Sequence, residues 1–133
     1  MEYTAEKLFD ILNETDECNW IEAKGIGDSS VSIMETVCAY SNEPDLGGGY
    51  ILLNISEMDS ADESCLYKID PIPDPDKLQS DLASQCAGMF NIPVRPEMTI
   101  EKINGIPVLK IWVDELPAKQ KPLYFKNKGL PSG

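Results

Sequence analysis

The sequence predicts an α/β domain of the α+β kind: a mixed β-sheet covered by about three helices, with a C-terminal β-hairpin. Three observations predict it. Segments of helical apolar spacing alternate along the chain with short strand-like segments. Residues 50–55, Tyr-Ile-Leu-Leu-Asn-Ile, are apolar almost throughout, as in a strand buried on both faces. Asn104-Gly105 joins two apolar-rich segments with the residue pair that best tolerates positive φ in a two-residue hairpin. A chain of 133 residues, 42% hydrophobic, can bury one core of ordinary size, so residues 1–133 are expected to form one domain.

The elements follow in order. Residues 3–13 place Leu8, Phe9, Ile11 and Leu12 on one side with Thr4 as cap, a short amphipathic helix expected to close the core as a lid. Residues 20–24 alternate, Ile21 and Ala23 to one face and Trp20, Glu22 and Lys24 to the other, which predicts a strand. Residues 29–42 line up Val31, Met34, Val37, Cys38 and Ser41 behind Asp28 or Ser29, which predicts the second helix. Gly47, Gly48 and Gly49 read as a turn before the central strand, residues 50–55. The polar residues 56–64 suggest a surface loop, 66–69 a strand and 71–75 a proline-punctuated turn. Leu78, Leu82, Cys86 and Met89 mark the third helix over 74–90, the hairpin spans 98–103 and 106–113, and 123–125 add a last strand.

Composition narrows the function classes. Uninterrupted apolar runs reach only four residues, as in 50–53, so no helix of the ~20 apolar residues needed to span a membrane is predicted, and the first residues lack the basic and apolar regions of a signal peptide. A cytoplasmic protein is expected. Cys18, Cys38, Cys65 and Cys86 form no CxxC pair, and with no histidine a zinc site would need all four thiolates, so they read as small buried hydrophobes. The formal net charge of -12 repels a polyanion at long range. It is uneven: residues 1–70 carry 16 acids and 3 lysines, residues 71–133 carry 7 acids and 8 basic residues. The chain ends in glycine and proline without a closing element, and more sequence, including a downstream domain of the same chain, is expected beyond residue 133.

Two groups of residues could carry chemistry. Glu17 lies just before the first strand, Glu22 within it and Glu57 just beyond the central strand. Adjacent strands would bring the three carboxylates together as an oxygen-ligand set suited to Mg²⁺ or Mn²⁺, which could activate water against a phosphodiester. Lys24 shares the face of Glu22 and suits an ion pair with it or a phosphate contact. Near the other end Lys119, Lys121, Lys126 and Lys128, with no acid among them, flank Tyr124 and Phe125; lysines neutralise phosphates and an aromatic ring can stack on an exposed base. Because alternate residues face opposite ways, one of the two rings is expected in the core. Arg95 is the only arginine, which leaves little capacity for bidentate guanine readout. Asn42 is expected to hold the end of its helix or the following turn.

Taken in order, Glu17-Cys18-Asn19-Trp20-Ile21-Glu22-Ala23-Lys24, Ala39-Tyr40-Ser41-Asn42 and Gly48-Gly49-Tyr50-Ile51-Leu52-Leu53-Asn54-Ile55 resemble the successive motifs of the Schlafen/AlbA-like domain. In that family a Glu lies five residues before a Glu-Phe-Lys strand, a helix ends in an Ala-Phe-Ala-Asn-like motif, and a Gly-Gly turn opens a strand closing on Gly-Val-Asp-Asp. Lys121-Pro122-Leu123-Tyr124-Phe125-Lys126 is similar to the closing Pro-aromatic strand, so the resemblance covers nearly the whole chain. Here Ala23 stands for the aromatic, five residues separate Asn42 from Gly48, and Asn54-Ile55-Ser56-Glu57 stands where Gly-Val-Asp-Asp occurs. The resemblance implies nucleic-acid binding, DNA or RNA, in a bacterial protein of the transcriptional-regulator kind. Through ribonuclease members it also implies a carboxylate triad at the positions of Glu17, Glu22 and Glu57. Three functions remain open: a nucleic-acid-binding module completed by downstream sequence or by homodimerisation, a metal-dependent nuclease, and a protein-interaction module.

Overall fold

The architecture was established from a computed structural model, which describes residues 3–25, 27–58 and 67–127. Its elements are α1 (Ala5–Thr15), β1 (Ile21–Lys24), α2 (Ser30–Asn42), β2 (Gly48–Leu53), β3 (Ile55–Glu57), β4 (Tyr67–Ile69), α3 (Pro75–Gly88), β5 (Glu97–Ile103) and β6 (Ile106–Asp114), followed by a short 3₁₀ turn at Ala118–Gln120. The main sheet has the order β1-β2-β6-β5, while β3 and β4 form a separate antiparallel pair. Among the described residues only β1 and β2 run parallel, as the α2 crossover requires. The expected mixed sheet, three helices and C-terminal hairpin are all present.

Two cores, one on each face, hold the sheet. Ile51, Leu53, Leu109, Ile111 and Val113 pack under α2 and α3 with Met34, Val37, Leu82 and Cys86. Tyr50, Leu52, Val108 and Ile21 pack under α1 with Ala5, Leu8 and Leu12. These sets alternate along β2 and β6, so the apolar run of β2 is buried on both sides because helices lie over both. The first helix is therefore a full layer of the fold, with Ala5, Leu8 and Leu12 wholly buried.

Local chemistry fixes the ends of the elements. Thr4 accepts the Lys7 N–H, Ser29 that of Ser32 and Asp74 that of Lys77, so each helix begins at a side-chain cap. Asn104 (φ 52°) and Gly105 (φ 80°) both take positive φ, the signature of a type I′ hairpin between β5 and β6.

Five expectations are corrected. The central strand stops at Leu53, because Asn54 turns to φ 64° and sends Ile55 into β3. Ser56 and Glu57, expected in a surface loop over 56–64, belong to β3 and pair with Lys68 and Tyr67; residues 59–66, Cys65 and Leu66 among them, lie outside the described residues. Gly48 and Gly49 are not a turn but the first residues of β2, opposite Asp114 and Val113. Val31 is 46% exposed, and Ile33 and Tyr40 take its place in the core, because α2 is seated against two neighbours at once and its apolar stripe is rotated. Residues 123–125 form no strand; they contribute one bridge, Phe90 to Phe125.

Candidate functional site

The carboxylates predicted from sequence gather at the outer edge of β1, where Glu17 and Glu22 are already engaged. Glu17 Oε2 accepts the Ala23 N–H at 2.8 Å. In a strand paired on one side only, alternate N–H groups point outward, so Glu17 caps a free donor of the sheet edge. Although Glu17 is exposed overall, partial desolvation raises its carboxyl above the usual range; the Ala23 hydrogen bond opposes this, and the charges of Glu22, Asp16 and Glu57 add to it. Those repulsions place the four acids in one neighbourhood. Glu22 accepts the hydroxyl of Thr36 and lies 3.7 Å from Lys24, whose ammonium also donates to Ser32 at 2.8 Å. The lysine side chain is only 14% exposed, so its ion pair prevails over its availability to a phosphate.

Among the described residues no three His, Cys, Asp or Glu side chains stand close enough to hold a metal ion. Glu17, Glu22 and Glu57 share a neighbourhood without forming a ligand set: one is bound to backbone, one to a hydroxyl and a lysine, and the third extends from β3. As placed, the three carboxylates form no ligand set for Mg²⁺ or Mn²⁺ among the described residues, and no metal-dependent step is derived from them.

Sequence reasoning missed the residue that sets this edge. Asp16 sits at φ 64°, ψ -175°, a region almost reserved for glycine. It is held there because its carboxylate accepts both the Glu17 N–H at 2.8 Å and the Tyr67 hydroxyl from β4. The Tyr67 bond first, then the Glu17 N–H, keeps the Asp16 carboxyl below its ordinary value. Burial, followed by that acceptor, pushes the Tyr67 hydroxyl well above the phenol range. No sequence signal marks this pair, which joins positions 51 residues apart.

The C-terminal basic segment is a defined surface. Asn42 reaches beyond its own helix: its amide accepts the Leu123 N–H at 2.7 Å and donates to the Leu123 carbonyl at 2.9 Å, besides a contact to Cys38 Sγ one turn back at 3.5 Å. Asn91 does the same for Tyr124: its side chain accepts the Tyr124 N–H at 2.8 Å while its own N–H donates to the Tyr124 carbonyl at 2.9 Å. The Lys126 N–H reaches the Met89 carbonyl, and Phe125 stacks on Phe90 with ring centroids 5.0 Å apart. Two asparagines thus replace a partner strand for residues 121–126. Phe125 is the inward ring and Tyr124 is half-buried. Lys119 and Lys126 are exposed and enter no ion pair among the described residues. Lys121, one of the four lysines expected to meet phosphates, is paired with Glu115 at 2.6 Å, and Lys128 lies outside the described residues.

Replacing Asn42 by Ala leaves the N–H of the wholly buried Leu123 without its acceptor and its carbonyl with the Cys38 thiol at 3.0 Å alone. We expect a loss of about 2 kcal/mol in urea unfolding, together with faster hydrogen exchange at the amides of Leu123 and Tyr124. Unchanged exchange there would show that the segment is held by its packing alone.

No helix of the described residues is long and apolar enough to cross a membrane. The Schlafen, AlbA_2 family profile matches residues 17–131. Among solved structures, the chain is similar to the N-terminal domain of a Nitrosomonas europaea protein described as related to the ATP-dependent DNA helicase RecG, known from solution NMR. The two share 45% identity and superpose with a TM-score of 0.87, covering 99% of this chain and 86% of that one. The Corynebacterium diphtheriae protein DIP2311 is matched over 80% of this chain and 19% of its own, at 12% identity and a TM-score of 0.42, too low to carry an argument. Among curated proteins none matches in sequence.

Proposed function

The chain belongs to the Schlafen/AlbA_2 family, and from that premise we propose that it is a nucleic-acid-contacting module of a longer protein, touching its target through the pinned segment 119–126. The support is the segment's construction. Asn42 and Asn91 fix its backbone at Leu123 and Tyr124 and the Met89 carbonyl holds the Lys126 N–H, so the backbone that carries Tyr124 and Lys126 is set before any ligand arrives. Preorganisation of this kind lowers the ordering penalty of binding. The likeness to the N-terminal domain of a RecG-related protein supports a setting next to DNA-directed machinery, by analogy of fold and sequence. The net charge of -12 limits the contact to short range, and two free lysines supply few phosphate contacts. Affinity is therefore modest for this domain alone and is completed by further sequence or a second copy.

Fluorescence anisotropy with labelled duplex and single-stranded DNA and RNA tests this. Two phosphate contacts give a slope of about -2 for log K against log salt on duplex DNA, so binding falls roughly 15-fold between 50 and 200 mM salt. The Lys119→Glu/Lys126→Glu variant should abolish binding at 50 mM salt while unfolding at the same urea concentration as the parent. Binding that survives the double reversal would remove the segment from the interface.

A further inference from the structure

A second surface with opposite chemistry lies at the far ends of the parallel strands. Where β1 and β2 end, the starts of α2 and α3 diverge and leave a pocket of about 320 Å³. Its walls include the apolar side chains of Ile33, Leu53, Ile72 and Leu78. Pro71 and Pro73 flank Ile72 and fix φ on either side of it, so that wall is rigid before anything binds. The volume is at the low end of the ~300–1,000 Å³ typical of ligand sites, enough for one or two side chains.

The charged groups around it decide what it accepts. Helix starts attract anions, but here both are answered by the chain itself: Asp28 accepts the Gly25 N–H just before α2, Ser29 caps α2, and Asp74 caps α3. Both lining lysines are matched to acids, Lys24 to Glu22 and Lys77 to Asp81. Among the described residues no cation stands within 4 Å of the carboxylate of Asp28 or Asp74. An apolar interior under a rim where three carboxylates, Asp28, Asp74 and Asp81, outnumber the two lysines repels phosphate and favours an apolar group flanked by positive charge.

We propose that this pocket docks a partner protein through a short segment in which a bulky apolar residue sits beside lysine or arginine. The apolar side chain enters between Ile33, Leu53, Ile72 and Leu78, and the flanking cations meet Asp28 and Asp74. The strongly acidic surface of the domain works in the same direction by steering a basic segment toward it. Because neither Lys119 nor Lys126 lines the pocket, the inference stands apart from the nucleic-acid reading.

The test is an NMR titration of the chain with two blocked peptides, acetyl-Gly-Lys-Phe-Lys-Gly-amide and its Glu-Phe-Glu counterpart, and with phenethylamine. The Lys-Phe-Lys peptide should shift the methyl resonances of Ile33, Leu53, Ile72 and Leu78 saturably. Asp28→Asn/Asp74→Asn should weaken it at least tenfold without loss of stability, since asparagine still accepts both backbone hydrogen bonds. The Lys119→Glu/Lys126→Glu variant should bind it as the parent does. Equal shifts from the acidic peptide, no shift at millimolar peptide, or phenethylamine binding as tightly as the peptide would each overturn the proposal, the last by making the pocket a small-amine site. Displacement of the peptide from these methyls by single-stranded DNA would overturn it as well.

Discussion

Gly48→Ala should cost at least about 3 kcal/mol in urea unfolding and leave little folded protein at 37 °C. Gly48 lies at φ +118°, and a Cβ built on it would stand 2.2 Å from the Val113 carbonyl oxygen across the ladder. That neighbour is backbone in the pairing of β2 with β6, so it cannot rotate away; relief requires the two strands to part where both cores meet them. Gly47→Ala is the control. Its φ of +81° is also unfavourable for alanine, but nothing lies within 4 Å of the added atom, so only the conformational term of about 1 kcal/mol is expected. Equal losses at the two positions would show that conformation rather than close approach governs Gly48.

The second large effect concerns a charge inside the fold. Lys110 lies on the α1 side of β6 with its side chain 5% exposed, paired with Glu101 at 2.8 Å and donating to the Tyr3 carbonyl at 2.8 Å. Glu101 also accepts the Ala5 N–H at 2.8 Å, tying the start of α1 to the sheet. Glu101→Gln removes the carboxylate charge 2.8 Å from the buried ammonium and weakens its pairing, and should destabilise by about 3 kcal/mol. Glu101→Gln combined with Lys110→Met should be less destabilising than Glu101→Gln alone, because the second change removes the buried ammonium whose pairing the first weakens. Additive losses would place the effect in packing.

The same carboxylate has a pH signature. Burial acts to raise its pKa, but hydrogen bonds from Ala5, Lys110 and Thr99 prevail and hold it below the ordinary 4.5. A carboxyl lowered on folding stabilises fully above its unfolded value and loses that contribution as the pH falls through the folded one. Stability should therefore decline as the pH drops below about 4.5, and Glu101→Gln should make that decline shallower. Urea midpoints measured from pH 6 to pH 3 on both chains check it.

The sequence by itself determined the elements whose cause is local. The caps at Thr4, Ser29 and Asp74 bond to N–H groups three residues on, the hairpin depends on two adjacent residues able to take positive φ, and strand alternation repeats every second residue. The Glu22–Lys24 pair was legible for the same reason, since i and i+2 share a strand face. The motif order also carried the family resemblance, because glycines and charged residues at strand ends keep their spacing in the chain. What only the tertiary structure decided lies between elements distant in sequence. The turn of Asn54, the Asp16–Tyr67 bond and the Glu115–Lys121 pair depend on how β3, β4 and the C-terminal segment dock. Periodicity reports which face of an element is apolar, not how far it rotates against its neighbours, so Val31 was read as core while Ile33 and Tyr40 were passed over. The glycines of β2 looked like a turn for the same reason: what requires Gly48 to lack a side chain is a carbonyl 65 positions away in the chain, brought against it only when the sheet closes.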